Sequence, residues 1–402
     1  MAHQLATRLA RDGHEVTMVV PFPNRPDGVI FPGFRRCLRS SSVSPEGYRV
    51  VRCYNWLIGR KRRHISRLLE NITFGLSSTW ATWRQGRPDA LILETWPMFA
   101  TQMSASLAGW WRVPYLYYVQ DVYPEAAENI GVLDAEGTIA RLCRSWDRRL
   151  CSRSSATLVI SETTRNLLVR HRQLPSEQFV VIPNWFDESE FTSISAQNTW
   201  RHQQGIPDNA FVAMFSGTLG EVSGVEVLID VAQILRENKD IIILCVGEGT
   251  RKQSLEESAF RLGLKNLRSL PFQPQERVPE VQNAADVALL TMQPQYSNAS
   301  VPSKLISYFA AARPVICAVA DDSAVAQNVL EADAGVVVNP GDAQAIAAGI
   351  LQIMRAPEAA RRMGANARRY FEKHYTLERA YIQFSHVLRQ VVATDAVDDR
   401  SF

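Results

Sequence analysis

Two kinds of pattern alternate along this chain, and their alternation restricts the fold more than any other feature. Short apolar runs rich in β-branched residues predict buried strands, and stretches with helical apolar spacing separate them. In the second half the predicted strands are Phe211–Phe215, Ile241–Val246, Leu267–Phe272, Val287–Met292, Pro314–Val319 and Gly335–Val338. In the first half they are Val16–Val20, Tyr48–Cys53, Ala90–Leu93, Tyr115–Val119, Ala156–Ile160 and Phe179–Ile182. Because such apolar strands are buried on both faces, the pattern predicts an α/β chain with two Rossmann-like parallel sheets.

The chain has 402 residues, enough for two domains of ordinary size. Residues 186–200 have the composition of turns and no apolar period, so we predict a linker there. The first domain is then 1–185 and the second begins at 201. The chain opens in a predicted helix, whereas a doubly wound domain normally opens with a strand and a glycine-rich turn. We therefore expect the first strand to be missing, through a late start codon or a natural truncation.

Composition and charge narrow the class of protein. No apolar run approaches the roughly 18 residues that span a bilayer, and no signal peptide is recognisable, which favours the cytoplasm. Six cysteines form no Cys-x-x-Cys pair and are expected to be free thiols. Lys and Arg outnumber Asp and Glu in residues 1–185, so that half should face an anion. Because no nucleic-acid-binding signature accompanies the charge, a membrane surface or a phosphorylated carrier fits better.

Residues 300–316 read as a short helix opened by Pro302 and followed by a buried strand. Ser300, Ser303 and Lys304 would surround the helix N-terminus, where free N–H groups and the helix dipole attract anions. This arrangement predicts binding of a phosphate-bearing ligand. The alternative is a solvated lysine in the first turn, although the dipole disfavours a cation there unless an anion is present.

Two glycine-rich turns follow predicted strands. Gly217, Thr218 and Gly220 could turn bare N–H groups toward a diphosphate, or could form a tight turn between strand and helix. Gly247 and Gly249 close the next strand. They lack the third glycine of the dinucleotide fingerprint, which argues against a nicotinamide oxidoreductase.

On the first domain, Asp121 follows the predicted strand Tyr115–Val119. Active-site groups collect at the carboxyl ends of parallel strands, so Asp121 is our candidate for a catalytic residue. Its alternative is an N-cap of the following helix. Glu125 could serve the same site or complement the dipole of that helix.

Residues 54–87 combine tryptophans with many cations. Apolar residues recur there at helical spacing, which predicts a stripe facing the domain core: Ile65, Leu68, Leu69, Ile72, Leu76, Trp80 and Trp83. The basic cluster before them is Arg60, Lys61, Arg62 and Arg63. Four cations at a helix N-terminus predict contact with lipid phosphate or a carrier pyrophosphate, and a solvated loop is the alternative.

Several motifs in a fixed order resemble those of the retaining family-four glycosyltransferases with the two-domain GT-B fold. They are Asp12-Gly13-His14-Glu15-Val16, Val181-Ile182-Pro183-Asn184, Phe215-Ser216-Gly217, Val246-Gly247-Glu248-Gly249, Ala285-Asp286-Val287-Ala288, Val301-Pro302-Ser303-Lys304 and Ala312-Arg313-Pro314-Val315-Ile316. The likeness spans nearly the whole chain. The stretch 119–125 resembles the branch that builds bacterial O-antigen, colanic acid and related envelope polysaccharides.

The resemblance implies two parallel sheets facing each other across a cleft, with a nucleotide-sugar domain over 201–365. Residues 366–402 would form a helix and tail crossing back to the first domain. The implied reaction is transfer of a sugar, with retention, from a donor such as a UDP-sugar to a lipid-linked saccharide. The enzyme would contact the cytoplasmic face of the inner membrane peripherally, and no nucleic acid would be involved.

The resemblance also assigns residues to the two substrates. On the acceptor side, Asp121 would meet the acceptor hydroxyl, where relatives place a His or an Asp, and Glu125 could orient the acceptor.

On the donor side, the resemblance assigns further residues. Ser300 and Val301 would contact the donor sugar, and Phe272 would lie against the nucleobase or simply form a strand-end turn. Relatives carry cations near Thr218 and Ser223, which this chain lacks, so Lys304 becomes the main countercharge and Arg251 the second. Ala299 and Ser307 stand where relatives carry paired glutamates, and the Ser307 hydroxyl could bond a ribose.

No metal or other cofactor is expected, because the sequence has no Asp-x-Asp constellation, and a helix N-terminus with Lys304 can neutralise a leaving diphosphate. Two alternatives stay open at this point. One is a catalytically inactive scaffold of the same fold, and the other is a nucleotide-sugar epimerase.

Overall fold

A computed structural model describes residues 1–24, 29–57, 63–129, 133–191, 199–296 and 302–398. The chain forms two compact units, Met1–Pro183 with Tyr381–Phe402, and Asn184–Ala380. The first unit thus ends two residues before the predicted boundary at 185, and the C-terminal return begins at Tyr381 rather than at 366. Within the predicted linker 186–200, Phe191 is buried in the core of the second unit.

The elements of the first 183 residues are α1 (Ala2–Arg11), β1 (Thr17–Pro21), β2 (Arg39–Val43), β3 (Arg49–Cys53), α2 (Arg63–Trp83), β4 (Leu91–Glu94), α3 (Met98–Trp111), β5 (Tyr115–Val119), α4 (Glu125–Asn129), α5 (Thr138–Arg153), β6 (Ala156–Val159), α6 (Glu162–Arg172) and β7 (Phe179–Val181). They build a three-stranded sheet of order β1-β3-β2 and a four-stranded sheet of order β4-β5-β6-β7. All six strands predicted for this half are confirmed to within two residues.

The remaining elements are α7 (Thr199–Gln203), β8 (Phe211–Ser216), α8 (Val227–Ile234), β9 (Ile241–Val246), α9 (Lys252–Arg261), β10 (Leu267–Leu270), α10 (Val278–Asn283), β11 (Val287–Thr291), α11 (Ser303–Ala310), β12 (Val315–Ala318), α12 (Ala324–Glu331), β13 (Gly335–Val338), α13 (Ala343–Arg355), α14 (Pro357–His374) and α15 (Leu377–Asp398). Six parallel strands form one sheet of order β10-β9-β8-β11-β12-β13. The strand predictions for this half are confirmed.

The core of the second unit follows from the period-two geometry of its strands. Along β8, Ala213 and Phe215 point into one apolar cluster, while Val212 and Met214 point into another. Successive side chains of a strand lie on opposite faces, so helices must cover both faces of this sheet. The buried sheet therefore leaves only the ends of its strands for ligand contacts.

The first unit departs from a single parallel sheet in two respects. Strand β2 pairs antiparallel with β3, and the described strands form two separate sheets. The sequence pattern missed β2 because Arg39-Ser40-Ser41-Ser42-Val43 contains a single apolar residue. A half-exposed edge strand needs no apolar run, since its backbone pairing supplies much of the contact.

The prediction that the apolar stripe of α2 faces the core is wrong. Leu68, Leu76, Trp80 and Trp83 are all exposed. The opposite side of the helix is buried instead, and it carries Phe74, Gly75, Ser77, Ser78 and Ala81. A Cβ at Gly75 would lie 2.6 Å from the Phe99 ring, so only a residue without a side chain allows α2 to pack this closely on α3.

Candidate active site

The order of the second sheet creates a switch point beside β8. The chain passes from β8 outward through β9 and β10, then returns to β11 on the other side of β8. In open α/β sheets, ligands bind where the winding direction reverses, at the carboxyl ends of the strands. Residues 217–224 follow β8 there, residues 247–251 follow β9, and α11 follows β11.

The two glycine-rich turns lie directly against each other. The N–H of Gly217 donates to the Val246 carbonyl at 2.9 Å, and the N–H of Leu219 donates to the Glu248 carbonyl at 2.9 Å. A Cβ at Gly247 would lie 1.9 Å from the Gly217 carbonyl oxygen, and one at Gly249 would lie 2.2 Å from the Leu219 oxygen. Glycine is therefore required at 247 and 249 because the backbones touch.

This packing corrects the expectation that residues 217–220 present bare N–H groups to a diphosphate. The N–H groups of Gly217 and Leu219 are used between the loops, and that of Gly220 donates to the Ser223 hydroxyl at 3.1 Å. Within the described part of the chain, Thr218 is the residue of this turn whose N–H lacks an acceptor. The turns 217–220 and 247–249 therefore form a close-packed backbone surface, which we call the platform. One backbone donor, the N–H of Thr218, is left there for a ligand.

Lys304 supplies the charge above this platform. Its half-buried side chain places Nζ 4.0 Å from the centroid of the Phe215 ring, and a Cβ at Gly217 would lie 3.4 Å from Lys304 Cε. Burial lowers the pKa of the ammonium to about 8, and no carboxylate among the described residues offsets that effect. An anion bound here would offset the cost of desolvating the ammonium.

A buried tyrosine fixes the helix that carries Lys304. The N–H of Ser216 donates to the Tyr308 hydroxyl at 2.9 Å, and that hydroxyl lies 3.2 Å from the carbonyl oxygens of Ser216 and Leu289. Tyr308, one helical turn beyond Lys304, therefore ties α11 to the end of β8 and to the middle of β11. The sequence analysis missed it because an aromatic residue in an apolar helix looks like ordinary core.

The other residues predicted for the site lie in α11 or in the segment before it, and they have three different outcomes. Ser303 is exposed in the first turn, whose N-cap residue Pro302 offers no side-chain cap. Ser307 is buried, and its hydroxyl donates to the Lys304 carbonyl at 2.8 Å, so it does not present a group to a ribose as predicted. Ser300, Val301 and Ala299 lie outside the described residues.

Arg251 and Phe272 lie at neighbouring strand ends. The Arg251 guanidinium forms an ion pair with Glu226 at 3.1 Å, so its charge is largely matched already, unlike that of Lys304. The Phe272 ring is 55% exposed in the loop after β10. An exposed aromatic face beside the platform is able to stack on a planar ring.

In the first unit, Asp121 is exposed two residues after the end of β5. Helix α4 begins only at Glu125, and no helix N–H among the described residues donates to the Asp121 carboxylate. The N-cap alternative is therefore not found. Among the described residues Asp121 has no hydrogen-bond or ion-pair partner, and it lies at the carboxyl edge of a parallel sheet, which suits hydrogen bonding to a hydroxyl.

Glu125 lies in the first turn of α4, as its interpretation as a partner of the helix dipole requires, and its carboxylate is occupied by neighbouring side chains. It is buried, and Arg172 donates to its two oxygens at 2.6 and 2.8 Å. Burial alone would raise its pKa, but the hydrogen bonds and charge of Arg172 lower the pKa to about 2. Arg172 also donates to Asp147 at 2.6 Å and to the Tyr123 carbonyl at 3.1 Å. Glu125 is thus structural, holding the segment after Asp121.

Arg60, Lys61 and Arg62 lie outside the described residues, and Arg63 begins α2 with its side chain likewise outside them. Among the described residues no three His, Cys, Asp or Glu side chains cluster as metal ligands would. The helices of the described residues include none with the length and apolar character to cross a membrane.

Two family models match the chain. The model of the glycosyl transferase 4-like domain matches residues 1–185, and that of glycosyl transferases group 1 matches residues 196–370. The putative colanic acid biosynthesis glycosyl transferase WcaI of Escherichia coli is 25% identical over 391 residues, which are 95% of this chain and 93% of that relative.

Solved structures resemble the fold as a whole. Sucrose-phosphate synthase from Thermosynechococcus elongatus has a TM-score of 0.71 at 19% identity, covering 98% of this chain and 93% of its own. HepE from Anabaena, solved in complex with UDP, has a TM-score of 0.64 at 18% identity, covering 80% of this chain and 84% of its own.

Proposed function

The chain belongs to the group 1 glycosyl transferases and has the GT-B fold, and from this premise we propose that it moves a sugar from a UDP-linked donor to a hydroxyl of a lipid-linked saccharide, with retention of anomeric configuration. The step belongs to assembly of a bacterial envelope polysaccharide, such as O-antigen, capsule or exopolysaccharide. It takes place at the cytoplasmic face of the inner membrane, with which the enzyme makes peripheral contact.

One observation carries the donor side of this proposal. Lys304 is a half-buried ammonium without a carboxylate partner among the described residues, beside the switch point of the sheet. The N-terminus of α11 adds its dipole at the same place. A nucleoside diphosphate matches both features, and the UDP named with HepE supports uridine as the nucleoside.

The proposed chemistry depends on the negative charge that develops on the leaving diphosphate during sugar transfer. As the bond between sugar and diphosphate breaks, charge accumulates on the leaving oxygens, and Lys304 with the first turn of α11 stabilises it. These groups act without a metal ion. Thr218 contributes one N–H, Ser303 a hydroxyl, and Phe272 a ring that stacks on uracil. Arg251 is a secondary cation because Glu226 already pairs with it.

On the acceptor side, Asp121 accepts a hydrogen bond from the hydroxyl that receives the sugar. A positioned carboxylate raises the nucleophilicity of a hydroxyl and typically contributes about 10²–10⁴-fold in rate. The name of the Escherichia coli relative supports envelope polysaccharide as the destination of the sugar. Membership in a transferase family argues against the epimerase alternative.

A transfer assay tests the proposal. Membranes carrying lipid-linked saccharide are incubated with radiolabelled UDP- and GDP-sugars and either wild type, Asp121→Asn or the control Asp208→Asn, whose carboxylate is exposed in the other unit. We expect transfer from one UDP-sugar, lowered about 100-fold by Asp121→Asn and unchanged by the control. An absence of both transfer and UDP binding in wild type would instead identify an inactive scaffold.

A further inference from the structure

Helix α2 carries its large apolar side chains on the outside. Leu68 is 60% exposed, Leu76 53%, Trp80 40% and Trp83 50%. Together with half-buried Ile72 they follow the spacing of one helix face, and we call these five residues the outer stripe. Single exposed apolar residues are ordinary, but a continuous stripe over four turns marks a contact surface.

A further exposed tryptophan lies at the end of α3. The Arg87 guanidinium donates to the Arg112 carbonyl at 3.2 Å, so the segments that follow α2 and α3 lie together. Trp110, in the last turn of α3, is 70% exposed. Both helices therefore carry exposed tryptophans toward their C-terminal ends, Trp80 and Trp83 on α2 and Trp110 on α3.

Arginines lie near these tryptophans. The Arg84 guanidinium lies 5.5 Å from the Trp80 ring centroid, and Arg87 and Arg112 are exposed nearby. Arg112 and Arg153 also line an open groove of about 550 Å³ together with the hydroxyl residues Ser106 and Ser155. Asp89 is the only acidic residue in the segments 76–90 and 105–115. The C-terminal parts of α2 and α3, with the segments that follow them, thus combine exposed aromatic rings with arginines.

We propose that the outer stripe, with Trp110 and the nearby arginines, is the surface by which this enzyme docks on an anionic lipid bilayer. Tryptophan and leucine insert at the boundary between headgroups and acyl chains, and arginines pair with lipid phosphates. The charge pattern selects this occupant over a second copy of the chain, because two such surfaces facing each other would bring arginine against arginine. The inference rests on the proposed function only in expecting a lipid-linked acceptor.

Cosedimentation with vesicles tests the surface. The full-length protein is mixed with vesicles of phosphatidylcholine alone or with 30% phosphatidylglycerol, a composition chosen at roughly the anionic content that gives a strong surface potential. The variants are Trp80→Ser/Trp83→Ser, Arg84→Gln/Arg112→Gln and the control Phe260→Ser. Phe260 is 90% exposed in the second unit, so its loss removes comparable apolar surface elsewhere.

We expect wild type and Phe260→Ser to bind the anionic vesicles, and each double variant to bind on the order of tenfold more weakly. UDP binding, measured without vesicles, should be the same for all four proteins, which separates this inference from the proposed donor site and confirms that the variants fold. Equal binding of wild type and both double variants would overturn the inference. So would a dimer in light scattering that Trp80→Ser/Trp83→Ser dissociates while no protein binds vesicles.

Discussion

The ammonium of Lys304 lies 4.0 Å from the centroid of the Phe215 ring. An aromatic face attracts a cation but does not neutralise it, so the positive charge of Lys304 stays available to a ligand. Tyr308 bonds the same helix to β8 and β11, which fixes where that charge lies. A neutral partner for the cation, together with a rigid helix, is what distinguishes a prepared anion site from a structural ion pair.

The pH dependence of UDP affinity follows from the pKa of Lys304. Burial lowers this pKa to about 8 in the free protein, and a bound diphosphate favours the charged form. Affinity should therefore be highest below pH 8 and fall as pH rises from 8 to 9, with proton uptake on binding at pH 8.5. Calorimetry in buffers of different ionisation enthalpy measures both. Lys304→Met supplies the baseline, and an affinity that stays level up to pH 9 in wild type would contradict the assignment.

Ser307→Ala should leave UDP affinity within about twofold of wild type, since the hydroxyl is buried and bonds the Lys304 carbonyl. Fluorescence titration with UDP measures this directly. The opposite result, a loss of tenfold or more, would mean that Ser307 serves the ribose after all. Ser303→Ala, which alters an exposed hydroxyl in the first turn, is the matched comparison on the same helix.

Gly249→Ala should destabilise the second unit by about 2 kcal/mol or more, because its Cβ would meet the Leu219 carbonyl oxygen at 2.2 Å. The two loops must separate to relieve this contact, so UDP affinity should fall as well. Denaturant unfolding gives the stability change. Gly109→Ala is the control, because its Cβ meets nothing within 4 Å, and an equal effect of the two changes would refute the close contact.

Glu125→Gln tests the buried ion pair of the first unit. The folded-state pKa is about 2, below the ordinary 4.5, so the carboxylate contributes stability above pH 4.5 that is lost as pH falls toward 2. The shift corresponds to about 3 kcal/mol at neutral pH. We expect Glu125→Gln to lower the free energy of unfolding by about that amount at pH 7, and by much less at pH 3. Parallel pH profiles for variant and wild type would contradict this role.

The strands and the position of helix α11 were predictable from sequence, because apolar β-branched runs and Pro302 act locally. The contacts that hold Glu125 and that position the helix of Lys304 were not predictable. Arg172 lies 47 positions from Glu125, and Tyr308 bonds Ser216 across 92 positions. Contacts over such separations depend on how helices pack on the sheet, which no local pattern specifies.

The outer stripe of α2 shows a different limit. Helical spacing of Leu68, Leu76 and Trp80 identifies a face of the helix but does not say which way that face points. Small residues opposite them, Gly75 and Ala81, decide the matter by packing closely against α3 and the sheet. The sequence does show small residues on one side of α2 and large apolar residues on the other. That pattern could have indicated that the small side packs against the core.

Titration calorimetry with UDP at pH 7 tests most directly whether Lys304 provides the countercharge for the donor diphosphate. Lys304→Met should bind UDP about 100-fold more weakly than wild type, as expected for loss of a desolvated charge-assisted contact. The control Lys265→Met, which removes an exposed lysine of the same unit, should bind as wild type does. Equal UDP affinity of Lys304→Met and wild type would contradict the account.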